Sequence, residues 1–417
     1  MADGSADILQ SRGIRTICLP VGEEFYAEVI RDAAQFRNWL QQQFCERPEL
    51  FPKNFGSGFA MKDIRTSKKL SISLRRIMLR DGQSYTIRPS FVMPYMPEFT
   101  DKAERGLFLR KFGLPYWAIT HVLGKNPMFW YRLECGLGRN SIVGTTIRRV
   151  NIPEHVAADE HHQTLNGKKV FLPTTVGGGC YLGTGIAQTA SIEGLGKVYG
   201  EGFGREARDV DPQYRPKTVN TDGWKGTRGA WKELFPSIVL LRCFLHAWIK
   251  IRDRGKNLKQ MFFELGDRVW NVYRATSKRS CAQRIRHLKT WAEKHLSGPV
   301  LTEVLDLCRK KDFWLQAYDH PQGHRTSNML DRVMRPMNRY FFNGQHLHGR
   351  EQSATAHVRG WTLIWNFAPC NPEITKANQG WQSPAERLNK HRYHHNWLQN
   401  LLASASLAGY RNSPQKA

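Results

Sequence analysis

The chain has 417 residues, of which 62 are Lys or Arg and 36 are Asp or Glu, giving a formal net charge of +26. An excess of positive charge this large favours a polyanionic partner, and nucleic acid before a membrane, because no apolar run approaches the roughly 18 residues of a spanning helix. The first residues lack the pattern of a signal peptide. The eight cysteines are scattered, so neither a zinc ribbon nor a disulfide framework is expected. We expect a soluble, reduced, cytoplasmic protein with two or three domains.

Residues 1–100 combine a mixed pattern with strong positive charge. We predict a helix from Glu24 to Phe44 and two strands, 70–79 and 84–92. The strands flank Asp81-Gly82, a strong hairpin signal between apolar runs. DNA contacts in this region are assigned to its clustered basic residues, Lys68, Lys69, Arg75 and Arg76.

Residues 101–150 predict three short helices separated by glycines. The first covers 103–112, the second covers 115–123, and the third begins at Asn126-Pro127, a capping residue followed by proline. Short helices joined by tight turns suit a helix-turn-helix, although a small helical bundle has the same pattern. The basic residues assigned to DNA contacts here are Arg132, Arg139, Arg148 and Arg149.

Residues 154–249 change to an α/β pattern. Three strands are predicted at 154–162, 168–176 and 180–189, followed by a helix over 192–208. A fourth strand ends at Asp222, a helix covers 224–235, and a fifth strand covers 238–241. The triple glycine before Cys180 is interpreted as a hairpin bend and not as a phosphate loop, because no Gly-Lys-Ser/Thr follows it.

The remainder of the chain is predicted to be helical. Residues 250–320 carry three apolar stripes at helical spacing, which we assign to a helical core. A helix over 327–342 carries Asp331, and residues 361–367 form a buried apolar run. A capping box at Ser383 begins a C-terminal helix.

Three carboxylates stand out as candidate catalytic residues: Asp159 on the first strand of the α/β unit, Asp222 after the fourth, and Asp331 on the later helix. Magnesium takes hard oxygen ligands, usually a few carboxylates with water and substrate phosphate. Two such ions about 4 Å apart can activate the attacking oxygen and stabilise the leaving one. Metal-dependent phosphoryl transfer on DNA is therefore the function that these residues favour. Alone, each aspartate has a simpler interpretation, and Asp222 could only turn the chain.

These residues carry a resemblance to the DDE/D transposases, most closely to those of bacterial insertion sequences related to the Mutator superfamily. The resemblance covers roughly 150–370, and four segments carry it: HVAADEHHQTLNGKKVFLPTTV (155–176), VNTDGWKGTRGAWKELFP (219–236), RCFLH (242–246) and SNMLDRVMRPMNR (327–339).

The resemblance implies an RNase H-like catalytic core, a mixed five-stranded sheet, with an all-α insertion between the second and third acidic residues. We therefore expect five units. They are a basic N-terminal region with a β-hairpin (1–100), a helix-turn-helix-like DNA-binding segment (101–150), the catalytic domain (151–249 and 321–370), the insertion (250–320) and a C-terminal helical tail (371–417).

The resemblance also implies roles for individual residues. Asp159, Asp222 and Asp331 match the three catalytic acids, which hold Mg²⁺ or Mn²⁺, with two ions expected. Cys243 and His246 match the family's Cys-x-x-His signature and are assigned, with Asn328, to a supporting role.

Two departures from the family pattern leave alternatives open. The third acid is usually Glu, whereas this chain has Asp331, and Glu351 is the next candidate if Asp331 is not a ligand. Glu160 lies beside Asp159, but strand neighbours point to opposite faces, so only one of the two can face the metal, and we prefer Asp159.

Each assigned residue also has a structural interpretation. Asp331 could pair with Arg335 one turn along its helix. Cys243 and His246 could be a buried thiol and a core histidine, or half of a zinc site. Trp224 could stack on a flipped base, but packing in the core is the preferred interpretation.

We therefore expect a DNA transposase that binds the terminal inverted repeats of a mobile element and catalyses metal-dependent strand cleavage and strand transfer. Its expected partners are element ends and target DNA, without a membrane. A homodimer or larger assembly, associated with the bacterial nucleoid, follows from the resemblance. The alternatives are an inactive, transposase-derived DNA-binding protein and a nuclease of the same fold.

Overall fold

The computed structural model of the protein describes residues 13–148, 150–326 and 328–410, apart from the side chain of Asn328. Arg149, assigned to DNA contacts, lies outside the described residues, as does the side chain of Asn328. The strands are β1 (Thr16–Leu19), β2 (Phe59–Ser67), β3 (Ile72–Leu79), β4 (Ser84–Pro89), β5 (His155–Leu165), β6 (Lys168–Gly177), β7 (Cys180–Thr184), β8 (Thr218–Thr221) and β9 (Val239–Arg242).

The α-helices outnumber the strands in the described part of the chain. In the first half they are α1 (Glu23–Val29), α2 (Ala33–Glu46), α3 (Thr100–Lys111), α4 (Tyr116–Leu123), α5 (Pro127–Leu137), α6 (Ile142–Thr146), α7 (Ile192–Tyr199), α8 (Arg205–Val210) and α9 (Lys225–Leu234). In the second half they are α10 (Phe244–Gly255), α11 (Gln260–Tyr273), α12 (Lys278–His295), α13 (Gly298–Arg309), α14 (Lys311–Gln316), α15 (Asn328–Asn343), α16 (Glu351–Phe367), α17 (Pro372–Ala377), α18 (Pro384–Asn389) and α19 (Trp397–Ser404).

A four-stranded sheet in the order β1-β4-β3-β2 forms the N-terminal region. The predicted hairpin is confirmed as β3–β4, with Gly82 at a positive φ of 80° in its turn. The prediction of one helix over 24–44 is wrong, because Asp32 caps a new helix by accepting hydrogen bonds from the backbone of Ala34 and Gln35. Strand β2 was not predicted. Its side chains are largely exposed, so it lacks an alternating apolar pattern.

The three short helices predicted after residue 100 are confirmed as α3, α4 and α5. The Asn126 side chain accepts from the Phe129 backbone and Pro127 occupies the first turn, as expected of a helix start. Their buried face is not separate from the rest of the chain, because Leu107 and Trp130 share one hydrophobic cluster with Leu363 on α16 and Leu401 on α19. The segment is therefore anchored to the body of the protein.

The second sheet is a mixed five-stranded sheet in the order β7-β6-β5-β8-β9. Strands β5, β8 and β9 are parallel, while β6 runs antiparallel to β5 and to β7. All five strands were predicted, but β7 ends at Thr184 and not at 189. The predicted helix over 192–208 is α7 and α8 with a π-helical turn, Gly200–Gly204, between them.

Both faces of the five-stranded sheet are covered. On one face Val156 and Ala158 pack with Leu195 of α7 and Trp231 of α9. On the other face Ala157 packs with Leu330 and other side chains of α15 and α16. Successive residues of β5 therefore enter different cores, as strand alternation requires.

Helices α10–α14 have a hydrophobic core of their own, which runs from Phe244 through Leu265 and Leu288 to Trp314. The described residues 250–320 contain no strand, in agreement with the helices predicted for this range. We call this part the helical lobe. The lobe leaves the sheet after β9 and the chain returns to it with α15.

The C-terminal part packs back onto the N-terminal sheet. The predicted buried run 361–367 is the second half of α16, and Ser383 caps α18 as expected. The Ser406 hydroxyl donates to the Leu50 carbonyl and accepts from the Cys18 backbone. In the part of the chain that the structure describes, no helix is both long and apolar enough to cross a membrane.

Candidate active site at the carboxyl ends of the parallel strands

Asp159 and Asp222 lie at matching positions on adjacent parallel strands. Ala157 of β5 pairs with Asn220 of β8, and each aspartate follows two residues later in its own chain segment. Neighbouring strands are about 4.8 Å apart, and β8 ends beside the middle of β5, which continues to Leu165. Two acids that are 63 positions apart in the sequence therefore come close together where β8 ends.

Asp159 and its neighbour Glu160 face opposite sides of the sheet. Glu160 is buried under α7 and α9, where its carboxylate accepts hydrogen bonds from the Tyr199 hydroxyl, 2.6 Å, and the Thr227 hydroxyl, 2.7 Å. Burial raises the pKa of Glu160 to about 7, although these two hydrogen bonds act in the other direction. Glu160 is therefore engaged in the core, and Asp159 is the acid on the face of Ala157.

Asp331 approaches from the helix that covers this same face. Leu330, Val333 and Met337 of α15 pack in the cluster that contains Ala157, so α15 lies directly against the Asp159 side of β5. Asp331 is half-buried in the first turn of α15.

The electrostatics of Asp159 report the proximity of all three acids. Its pKa is raised to about 6, mainly by burial, and the charges of Asp222 and, last, of Asp331 contribute in the same direction. One backbone hydrogen bond, from the Glu160 N–H at 2.9 Å, opposes the shift. In the described residues, no three His, Cys, Asp or Glu side chains approach closely enough to enclose a metal ion. The three acids are nevertheless near enough for their negative charges to repel one another.

The donor set suits a hard divalent cation. Carboxylate oxygens are the preferred protein ligands of Mg²⁺. A cation would favour the charged form of Asp159, whose pKa is raised first by burial and then by the charge of Asp222. Asp159, Asp222 and Asp331 are the residues that could hold it.

Cys243 follows directly after β9, the third parallel strand, and His246 lies in the first turn of α10. The Cys243 N–H donates to the Thr221 carbonyl at 2.8 Å, which extends the β8–β9 ladder to the start of α10. A hydrogen bond with buried Cys243 raises the pKa of His246 to about 9, and the charges of Asp159 and Asp222 act in the same direction. His246 therefore lies within electrostatic reach of both acids, and the supporting role of the Cys-x-x-His motif stays a prediction.

The turn after β8 fixes the Asp222 side chain. Its Oδ1 accepts from the Trp224 N–H at 2.7 Å, and Gly223 has a positive φ of 93°. A Cβ at Gly223 would overlap the Arg242 guanidinium, so glycine makes room for that side chain. Trp224 itself packs against His162 and Phe171 with ring centroids 6.0 and 5.8 Å away, in line with the preferred core interpretation.

The basic residues assigned to DNA contacts divide into two groups. Lys68 and Lys69 in the β2–β3 turn and Arg132 on α5 are exposed. Arg139 is half-buried and lies over the Tyr95 ring.

The other group is occupied by contacts within the chain. Arg75 is buried and donates to the Ile30 carbonyl, so the expectation that it contacts DNA is corrected to a structural role. Arg76 is paired with Asp63. Arg148 is paired with Glu49 at 2.8 Å and donates to the Tyr393 hydroxyl. A basic residue in a strand sequence does not reveal which face it occupies in the folded sheet.

Sequence reasoning missed a buried polar network centred on Glu134, which we call the Glu134 network. Glu134 Oε2 accepts from Arg110 Nε and the Tyr116 hydroxyl, both at 2.7 Å, and its Oε1 accepts from the Tyr340 hydroxyl at 2.6 Å. Both hydroxyls also contact His357 Nε2. The network joins α3, α4 and α5 to α15, the helix that carries Asp331. Its members are up to 247 residues apart in sequence, so no local pattern could have indicated it.

No protein-family model matches the chain, and no curated protein is significantly similar to it. The arguments about function therefore depend on the residues and their geometry.

Proposed function

We propose that this protein is a DNA transposase with an RNase H-like core, which cleaves and joins DNA strands at the Asp159–Asp222–Asp331 edge. The observation that carries the proposal is the strand register that brings Asp159 close to Asp222, together with the packing of the helix of Asp331 against the same face of β5. The mixed five-stranded sheet and the helical lobe between Asp222 and Asp331 support it. The net charge of +26 suits a DNA substrate.

In this proposal the three aspartates hold Mg²⁺ or Mn²⁺, with two ions expected, and the metal supplies Lewis-acid stabilisation of a reacting phosphodiester. The chain's own residues contribute position and charge. Asp159 is held in the middle of β5 and Asp222 directly after β8, and the Trp224 N–H orients one oxygen of Asp222. His246 limits the negative charge of the site, because its own positive charge lies close to both acids.

DNA recognition is assigned to the exposed part of the basic N-terminal half. Lys68, Lys69 and Arg132 are available for phosphate contacts, and α3–α5 provide the helix-turn-helix-like segment. Because two element ends must be brought together, we expect a homodimer or larger assembly on DNA.

A strand-transfer assay tests the proposal. The full-length protein is incubated with DNA that carries the element ends and with a plasmid target, in Mg²⁺, Mn²⁺ or EDTA. We expect nicks at the element ends and joined products only with metal. Asp222→Asn should remove both products, whereas Asp267→Asn, an exposed acid of the helical lobe, should remove neither.

The possible outcomes separate the candidate functions. Cleavage without joining would support a nuclease of the same fold. End-specific binding without cleavage in either metal would support the inactive DNA-binding protein. Cleavage by Asp222→Asn at the wild-type rate would overturn the assignment of the active site.

A further inference from the structure

Two arginines converge on one aromatic ring beside Asp222. Arg228 lies in the first turns of α9, and Arg242 ends β9. Their guanidinium carbons lie 5.0 and 5.4 Å from the centroid of the Phe313 ring, which belongs to α14 of the helical lobe. The sheet and the lobe therefore meet at a cluster of two cations and one ring.

Neither guanidinium is neutralised by a carboxylate. Among the described residues, no ion pair forms at Arg228 or Arg242, and the buried Nε of Arg228 has no hydrogen-bond partner. Burial and then the charge of Arg228 lower the pKa of Arg242, whereas Asp306 and Asp222 act in the opposite direction. Asp306 is itself paired with Lys310 and Arg309. Two like charges thus lie near one ring without a direct ion pair, and Asp306 and Asp222 compensate Arg242 only through longer-range attraction.

The guanidinium geometry leaves donors available for a ligand. An arginine that stacks on an aromatic ring contacts it with the flat face of the guanidinium group. The N–H groups point outward in the plane of the guanidinium, where they can still donate to an anion. Both side chains are only half-buried, so a ligand can reach them. Arg242, but not Arg228, lines a small recess between the sheet and the lobe, whose other charged side chains are the acids Asp222, Glu303 and Asp306 and the basic residues His246, Lys250 and Lys310.

We propose that Arg228 and Arg242 form a phosphate-binding site for a DNA strand next to Asp222, with Phe313 holding the two guanidinium groups in position. Paired guanidinium groups are well suited to phosphate oxygens, which they can bind with two hydrogen bonds each. This inference rests on the proposed function in naming DNA as the source of the phosphate. It adds that the helical lobe helps to build the substrate site, because Phe313 is a lobe residue.

The first experiment uses inorganic phosphate and does not depend on DNA chemistry. The melting temperature of the full-length protein is followed with increasing inorganic phosphate at constant ionic strength. We expect phosphate to stabilise the wild type, because a ligand of the native state raises its stability. The double variant Arg228→Gln/Arg242→Gln should lose this response, and Arg286→Gln, an exposed arginine of α12, should keep it.

A charge-retaining variant separates ligand binding from a purely structural contact. Arg228→Lys/Arg242→Lys keeps both charges but weakens stacking on Phe313. Partial retention of the phosphate response supports the anion site. The opposite result has two parts: the Lys and Gln double variants show the same loss of melting temperature without phosphate, and phosphate stabilises neither the wild type nor any variant. The cluster would then be only a contact between sheet and lobe, and the proposal would be overturned.

The second experiment measures duplex DNA affinity over a range of salt concentrations. Each phosphate contact contributes about 0.9 to the slope of log affinity against log salt. The Gln double variant should lose about 1 to 2 units of slope, and Arg286→Gln should match the wild type.

The two experiments fail in different ways. A lost phosphate response with an unchanged DNA slope would establish an anion site that DNA does not use, which overturns its assignment to the DNA strand. An unchanged slope together with no phosphate response would overturn the anion site, while the transposase proposal would still be decided by the strand-transfer assay.

Discussion

Two carboxylate sites lie on either side of α15, and the protein treats them in opposite ways. In the Glu134 network, burial alone would raise the pKa of Glu134, but Arg110 and the hydrogen bonds from Tyr340 and Arg110 lower it below its ordinary value. At the edge of the five-stranded sheet, burial and the neighbouring acids raise the pKa of Asp159 to about 6. The charge of Glu134 is thus stabilised by its neighbours in the chain, whereas the charge of Asp159 is destabilised by its surroundings.

The difference separates structure from function. A buried charge is tolerated when it is paired and hydrogen-bonded, as at Glu134, which ties three helices to α15. A group of acids that raises the pKa of one member costs stability, and such sites are often functional. Tyr340 of the Glu134 network and Asp331 lie on the same helix, α15, so the network helps to hold Asp331 in position. The surroundings of Asp331, in contrast, suit a cation.

The largest expected effect is on activity at the sheet edge. Replacing Asp159, Asp222 or Asp331 with Asn should lower cleavage and joining by at least about 1,000-fold, because each variant removes a charged metal ligand. DNA affinity should stay unchanged, and stability without metal should stay level or rise, because a repelling charge has been removed. Cleavage, gel-shift and urea-unfolding measurements check the three expectations, with Asp267→Asn as the control.

Asp331→Glu refines this prediction. The longer side chain matches the residue usual in the resembled family, but a ligand displaced by about 1 Å can cost on the order of 100-fold in rate. We expect reduced, detectable activity. If Asp331→Asn cuts and joins DNA like the wild type, Asp331 is not the third ligand, and Glu351, which begins α16 and accepts from Gln188, is tested next.

The second effect is on stability at the Glu134 network. Glu134→Gln leaves the Arg110 charge buried and uncompensated, and it should lower the free energy of unfolding by about 3 to 5 kcal/mol. Arg110→Met/Glu134→Leu removes both charges and should cost less. Urea unfolding measures both, with exposed Glu233→Gln as the control. A loss for Glu134→Gln no larger than that of the control would show that the network does not hold the helices together.

Opposite pH dependences are the third expectation. Burial lowers the pKa of His357 to about 4 from its ordinary 6.5. Between about pH 6.5 and 4, His357 therefore binds a proton in the unfolded chain but not in the folded chain. The free energy of unfolding falls as pH falls across this range, by about 2 kcal/mol or more. His357→Gln should remove this loss, so its stability relative to the wild type should improve as pH falls.

Asp159 behaves in the reverse direction. Its pKa is raised from 3.8 to about 6. Its contribution is fully favourable below pH 4 and is lost as pH rises through about 6, which amounts to about 3 kcal/mol. In EDTA, Asp159→Asn should therefore gain stability relative to the wild type between about pH 4 and 6.5 and stay level above. Urea unfolding across this range checks both signs, and parallel pH profiles for the two variants would contradict the comparison.

The sequence predicted the elements better than the contacts between them. Strands β5 to β9 and the helices of the lobe follow local apolar periodicity and turn residues, so they were visible in the sequence. Strand alternation correctly limited Asp159 and Glu160 to opposite faces. The buried position of Arg75 was not predictable, because it depends on the Ile30 carbonyl, 45 residues away. The same holds for the cluster at Phe313, which brings together residues of the sheet and the lobe.

The smallest expected effect applies the same comparison to the basic residues. Lys68 and Lys69 are exposed in the β2–β3 turn, whereas Arg76 on β3 is paired with Asp63. Lys68→Gln/Lys69→Gln should weaken duplex binding several-fold near 0.1 M salt and lower the salt slope by up to about 1.8, about 0.9 for each phosphate contact. Arg76→Gln should leave the slope nearly unchanged, because its charge is already compensated.

The full-length protein is required, since Leu107 and Trp130 share a core with α16 and α19 and a fragment of residues 1–150 would expose that core. Equal slopes for the lysine double variant and the wild type would remove the β2–β3 turn from the DNA interface. A larger loss for Arg76→Gln than for the lysine pair would show that the Asp63 pair opens on DNA, and that pairing within the chain does not predict which cations the substrate uses.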